Sequence, residues 1–159
     1  MERSGLNDMD IVHIRLAEAS DTVALVAFNQ AMALETEGKW LNAETLMAGV
    51  NAVFGDEKKG FYVVAESEGS IIGGLMITYE WSDWRNAWFW WIQSVYIRPE
   101  FRGQKVYSKL YDFVKAKADE AGNICGFRLY VENDNYNAQK VYDAVGMHAS
   151  HYLMYEEEV

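Results

Sequence analysis

The apolar positions of this 159-residue chain change period several times, and each change marks a predicted element. Ile11 to Leu16 (IVHIRL) alternates as a half-buried strand does. Ser20 or Asp21 then offers a cap, and Val23, Val26, Ala27 and Ala31 recur at helical spacing, predicting a helix to about Leu34. The acidic segment Glu35 to Trp40 (ETEGKW) interrupts it. Asn42 caps a second helix, with Leu41 and Leu46 at hydrophobic-staple positions, and Gly55 with the charged DEKKG segment ends it. Phe61 to Glu66 and Ile71 to Glu80 read as two strands of a hairpin turning at Ser67-Glu68-Gly69-Ser70. A polar loop, Ser82 to Asn86, leads to the aromatic strand Trp88 to Ile97, which Pro99 ends by removing a donor.

After Pro99 the period is helical again, from about Gln104 to Ala121, with Val106, Leu110, Phe113 and Val114 on one face and Gly122 suited to the C′ position. Phe127 to Glu132 predicts a strand. Asn135 caps a helix over Tyr136 to Val145, which Gly146 closes, and the tail HASHYLMYEEE alternates as a last strand. The order is strand, two helices, three antiparallel strands, helix, strand, helix, strand. That order predicts an α/β fold with a mixed, mostly antiparallel sheet, and one domain over residues 1–159.

Composition narrows the function. The net charge of −10 argues against nucleic-acid binding, which relies on a basic surface. It suits a cationic substrate, and solubility explains it equally well. No apolar run is long enough to span a bilayer and the N-terminus lacks an apolar signal region, so neither membrane nor export is expected. The single Cys125 excludes an internal disulfide and points to a reduced, cytoplasmic setting. His13, His148 and His151 are not spaced as a cluster, so no metal is expected.

The stretch Phe101 to Tyr107 (FRGQKVY) joins a predicted strand to a predicted helix N-terminus. Free backbone N–H groups and the positive end of the helix dipole converge at such a place, which suits a phosphate. The enclosing run VYIRPEFRGQKVYSKLYDFV resembles the acyl-CoA-binding core of the GNAT family of N-acetyltransferases. The run VENDNYNAQKVYDAVGM resembles that family's second signature, here Asn135, Ala138, Tyr142, Gly146 and Met147. The resemblance covers nearly the whole chain and implies a GNAT fold with acetyl-CoA as co-substrate. It implies that Val95, Tyr96 and Ile97 pair with the amide-rich arm of the cofactor. It assigns the pyrophosphate to Arg102, Gly103, Gln104, Lys105, Val106 and Tyr107. Asn135 is first a helix cap, with a cofactor or substrate contact as an added role.

Lys105 and Tyr107 stand where the family has small residues. Side chains fit there if φ stays negative, and Lys105 adds a cation worth roughly 1 kcal/mol at a wet site. Tyr107 either packs on the helix or lies along the cofactor.

The implied reaction is acetyl transfer to a primary amine by direct attack in a ternary complex. Tyr142 would protonate the leaving thiolate; spacing alone favours a core aromatic, and the resemblance reverses that reading. Glu80 is either the base or an ordinary strand-end carboxylate, with Asp83 and Glu132 as further carboxylates, and Gln93 could orient a water. Glu35, Trp81 and Asp83 offer carboxylates and an aromatic face to an ammonium group. The acceptor is a small-molecule or peptide amine. The face of Trp88-Phe89-Trp90-Trp91 lines a pocket or is covered in a homodimer. Two other readings stand beside this one: a non-catalytic CoA-binding module on the same fold, and amide formation from a larger acyl donor.

Overall fold

The computed structural model describes residues 11–159. The chain forms two compact units, one ending at Leu129 and the other spanning Tyr130–Val159. In the first, β1 (His13–Leu16), α1 (Thr22–Glu37), α2 (Ala43–Gly55), β2 (Phe61–Ser67), β3 (Ser70–Ser82), β4 (Ala87–Ile97), α3 (Val106–Ala121) and β5 (Ile124–Arg128) follow one another. The sheet runs in chain order, β1-β2-β3-β4-β5. Its first three pairings are antiparallel and β4 pairs with β5 in parallel. The mostly antiparallel sheet flanked by helices is the one the residue pattern predicts.

Local chemistry explains the joints. Glu68 and Gly69 both have positive φ, 50° and 77°, so β2 and β3 meet in a two-residue turn whose twist suits a hairpin. Asn42 Oδ1 accepts from the Thr45 N–H at 2.9 Å and starts α2. Helix α1 runs past Leu34 to Glu37, so the acidic segment is partly helical. It stops where Gly38 turns left-handed at φ 63°.

The two faces of the sheet differ. Leu25 of α1, Val50 and Val53 of α2, and Tyr62 and Val64 of β2 form one buried cluster, with Leu46, Phe54 and Met76 packed against it. On the other face Trp90 meets Phe127 edge-on, and Phe127 meets Tyr111 of α3 in the same way. Leu110 and Val114 of α3 are fully buried, and truncating Leu110 to alanine would cost about 3 kcal/mol.

Three boundaries move. Helix α3 starts at Val106 rather than Gln104, because a turn at Arg102-Gly103 and a bend at Gln104-Lys105 precede it. Strand β5 covers Ile124–Arg128 instead of residues 127–132; the parallel ladder to Trp88–Trp91 sets its length. The tail after Gly146 forms no strand, since alternation without a ladder partner does not make one. The second unit has one helix, α4 (Tyr136–Ala144), started by Asn135, whose Oδ1 accepts from the Ala138 N–H at 3.2 Å.

Candidate active site

Strand β4 breaks its register with β3. Met76 lies opposite Gln93 and Gly74 opposite Tyr96, so β4 carries one extra residue in a bulge. Ser94 has φ 53° there, a left-handed conformation that costs a non-glycine residue about 1 kcal/mol or more. The glycines facing it are needed. A Cβ on Gly73 would lie 2.9 Å from the Tyr96 carbonyl oxygen, and one on Gly74 would lie 2.9 Å from that of Val63. Beyond Trp91, β4 has no ladder to β5, so Val95, Tyr96 and Ile97 lie on a stretch whose β5-side edge is open.

That open stretch leads to the start of α3. Lys105 is the residue before the first helical turn, and no side chain caps it. The first-turn N–H groups of a helix have no acceptor within the helix, which suits an anion. Lys105 has φ 63° and Gly103 has φ 76°. The expectation of a negative φ at Lys105 is therefore corrected: the backbone holds the left-handed shape glycine favours, with lysine bearing the strain. Tyr107 is 5% exposed and stacks on Tyr111, 6.0 Å between centroids, so its ring belongs to the core. Val106 is buried beside it, and the Gln104 amide donates to the Glu100 carbonyl at 3.0 Å.

Arg102 is engaged with the protein. It donates to Glu35 Oε2 at 2.8 Å and, through Nε, to the Ile97 carbonyl at 2.8 Å, and it lies 5.3 Å over the Tyr96 ring. The Glu35 carboxylate is thus neutralised by a guanidinium. Burial, then the nearby Glu35 charge, pushes the Tyr96 phenol up.

Glu80 is held as firmly. Its Oε1 accepts from the Trp91 indole at 2.9 Å and its Oε2 from Arg128 at 2.6 Å. Arg128 also lies 3.6 Å over the Phe89 ring. Gln93 donates to Thr78 Oγ1 at 2.6 Å. Trp81 packs against Trp88, on the side of the hairpin away from Trp91. Asp83 accepts from the Trp84 N–H and shapes the loop. Glu35, Trp81 and Asp83 therefore do not converge on one ammonium site.

A cavity of about 470 Å³ opens between the α1–α2 pair and the sheet. Tyr62, Met76, Thr78 and Ser94 form its sheet side, so it reaches the β4 bulge. None of these four was singled out as a site residue. The adjacent Gly73-Gly74 inside a strand was the signal that could have located the bulge. In the second unit Tyr142 is half-buried, and burial pushes its phenol up. Among the described residues no group of three or more His, Cys, Asp or Glu could hold a metal, and no helix is long and apolar enough to cross a membrane.

No curated protein matches the chain. The fold is similar to that of a possible acetyltransferase from Clostridium difficile 630, with 43% identity and a TM-score of 0.86 over 94% of this chain and 98% of that one. A predicted acetyltransferase from Clostridium acetobutylicum, solved with acetyl-CoA, shares the fold at 20% identity and a TM-score of 0.75, covering 92% and 96% of the two chains. So does the ribosomal-protein-alanine N-acetyltransferase from Brucella melitensis biovar Abortus 2308, at 15% identity and a TM-score of 0.75 over 93% and 99%. A model of the acetyltransferase (GNAT) family matches residues 25–147, and the chain belongs to that family.

Proposed function

We propose that the protein transfers an acetyl group from acetyl-CoA to a primary amine by direct attack in a ternary complex. The observation that carries this reading is the continuity of three features: the open edge of β4, the uncapped start of α3 at Lys105, and the cavity that reaches Ser94. The open edge offers backbone groups to an amide-rich arm as it would to an added strand. The α3 N-terminus offers N–H groups and a dipole to a diphosphate, with Lys105 as a nearby cation. The cavity holds the acceptor.

Bound acetyl-CoA supplies the activated thioester: the amine nitrogen forms the new C–N bond as the C–S bond breaks. Tyr142 is the proposed donor of a proton to the departing sulfur. A phenol whose pKa is pushed above the ordinary 10.0 stays protonated at neutral pH, as a donor must. Glu80 is given a positioning role, because both of its oxygens already accept from Trp91 and Arg128. The amine proton passes to water.

The test is a thiol-release assay with acetyl-CoA over a mixed panel of amines, beside thermal melting with acetyl-CoA alone. Binding only to the folded state raises the melting temperature by mass action. A melting curve unmoved by millimolar acetyl-CoA would sink the reading. Binding without thiol release across the panel would favour a CoA-binding module instead. Tyr142→Phe is expected to keep acetyl-CoA binding and slow turnover by about a hundredfold or more.

A further inference from the structure

We infer that the cavity beside the β4 bulge selects a primary monoamine with an apolar body, and selects against polycations. The inference rests on the acetyl-transfer reading and adds the acceptor's chemistry. A volume of about 470 Å³ falls in the range of small-molecule sites. The cavity crosses three neighbouring strands, from Ser94 on β4 through Met76 and Thr78 on β3 to Tyr62 on β2. Two strand spacings make this span about 10 Å.

The two ends differ. At the bulge end Ser94 lines the cavity on β4, the strand whose far edge is open, and Thr78 on the neighbouring β3 holds Gln93 through its hydroxyl at 2.6 Å. Away from the bulge Leu46, Val50, Val53 and Tyr62 line the cavity, with Asn29 and Thr45 as its uncharged polar residues. Among the described residues no aspartate or glutamate lines the cavity. The charged residue among the described lining is a cation, Lys59, which pairs with Asp56 at 3.1 Å. A second ammonium on the acceptor would meet the Lys59 cation and, among the described lining residues, no carboxylate to offset its loss of water. The carboxylates that could have served a polycation lie elsewhere, Glu35 on Arg102 and Glu80 on Arg128.

Gly49 gives the experiment its handle. It lines the cavity from α2, and a Cβ built there meets nothing within 4 Å. Leucine at this position puts a side chain into the acceptor space and, as a better helix former than glycine, does not weaken α2. Thiol release is measured with 2-phenylethylamine, spermidine and kanamycin, and calorimetry follows 2-phenylethylamine binding with and without CoA. The expected result is kcat/KM for 2-phenylethylamine about tenfold or more above that for either polycation. Gly49→Leu should lower it by about tenfold and abolish the binding heat, with the acetyl-CoA melting shift and the unliganded melting temperature retained. Equal or better use of spermidine or kanamycin overturns the inference. So does 2-phenylethylamine binding that Gly49→Leu leaves intact, or no binding heat with the native protein. Loss of the acetyl-CoA melting shift in the native protein is the separate result that removes the acetyl-transfer reading itself.

Discussion

Arg102 and Glu35 meet at 2.8 Å across 67 positions of sequence, joining the last turn of α1 to the loop that opens α3. The same guanidinium ties the end of β4 through the Ile97 carbonyl. One side chain therefore fixes three segments around the proposed diphosphate cradle. Both partners are nearly half exposed, at 45% and 41%, so solvent screens the pair and its net worth stays below about 1 kcal/mol. A double-mutant cycle with Glu35→Gln and Arg102→Gln should give a coupling of about 0.5 kcal/mol in urea unfolding, shrinking in high salt. A coupling near zero at low salt would show that the bridge leaves the loop unconstrained.

Lys105 holds a left-handed backbone without being glycine. Relief of that conformation by Lys105→Gly, roughly 1 kcal/mol, is offset by the extra freedom glycine gains in the unfolded chain. The melting temperature should hold or rise slightly. Loss of the cation should weaken acetyl-CoA binding by up to about fivefold at low salt and flatten its salt dependence. Tighter binding would mean that the lysine side chain obstructs the cradle. Tyr107→Ala is a different experiment, because that ring is core: it should cost about 3 kcal/mol or more of stability.

This contrast shows how far the residues alone could be read. The order of elements from β1 to α4, the hairpin at Glu68-Gly69 and the caps at Asn42 and Asn135 were legible in the chain. Pairings between distant segments were not. Nothing near Glu80 in the chain announces Arg128, and nothing near Glu35 announces Arg102, yet each carboxylate is held in an ion pair with that distant arginine. The Ser94 bulge was hidden for a related reason. A bulge belongs to the register between two strands, and β4 read by itself is an unbroken aromatic run.

Asp21 is the carboxylate to watch in acid. Its oxygens accept from Arg15 at 2.8 and 3.0 Å and from the Glu18 N–H at 2.8 Å, and the side chain is 8% exposed. The Arg15 hydrogen bonds, aided by the Glu18 N–H, hold its pKa below the ordinary 3.8 despite burial. A depressed carboxylate value means the stabilisation is complete above about pH 4 and is lost as pH falls through the lower folded value. Asp21→Asn should cost about 2 kcal/mol at neutral pH and flatten the acid limb of the stability curve. An acid limb unchanged in the variant would place the linkage on other carboxylates.

Glu80 separates a base from a brace. A catalytic base at this position would give the pH–rate profile an acid limb that disappears in Glu80→Gln, with turnover falling about a hundredfold. A brace predicts otherwise. Glutamine keeps an acceptor for the Trp91 indole but leaves the Arg128 guanidinium without its counter-charge. Arg128 is 33% exposed and stacked on Phe89, so water and the ring take up part of that loss, and stability should fall by about 1 kcal/mol. Turnover should then drop only a few-fold, with the shape of the profile preserved. We expect the second outcome, because the Trp91 indole and the Arg128 guanidinium fix both Glu80 oxygens against the protein. Thiol-release rates of the native protein and Glu80→Gln across the pH range would decide it, with loss of the acid limb in the variant returning Glu80 to the role of base.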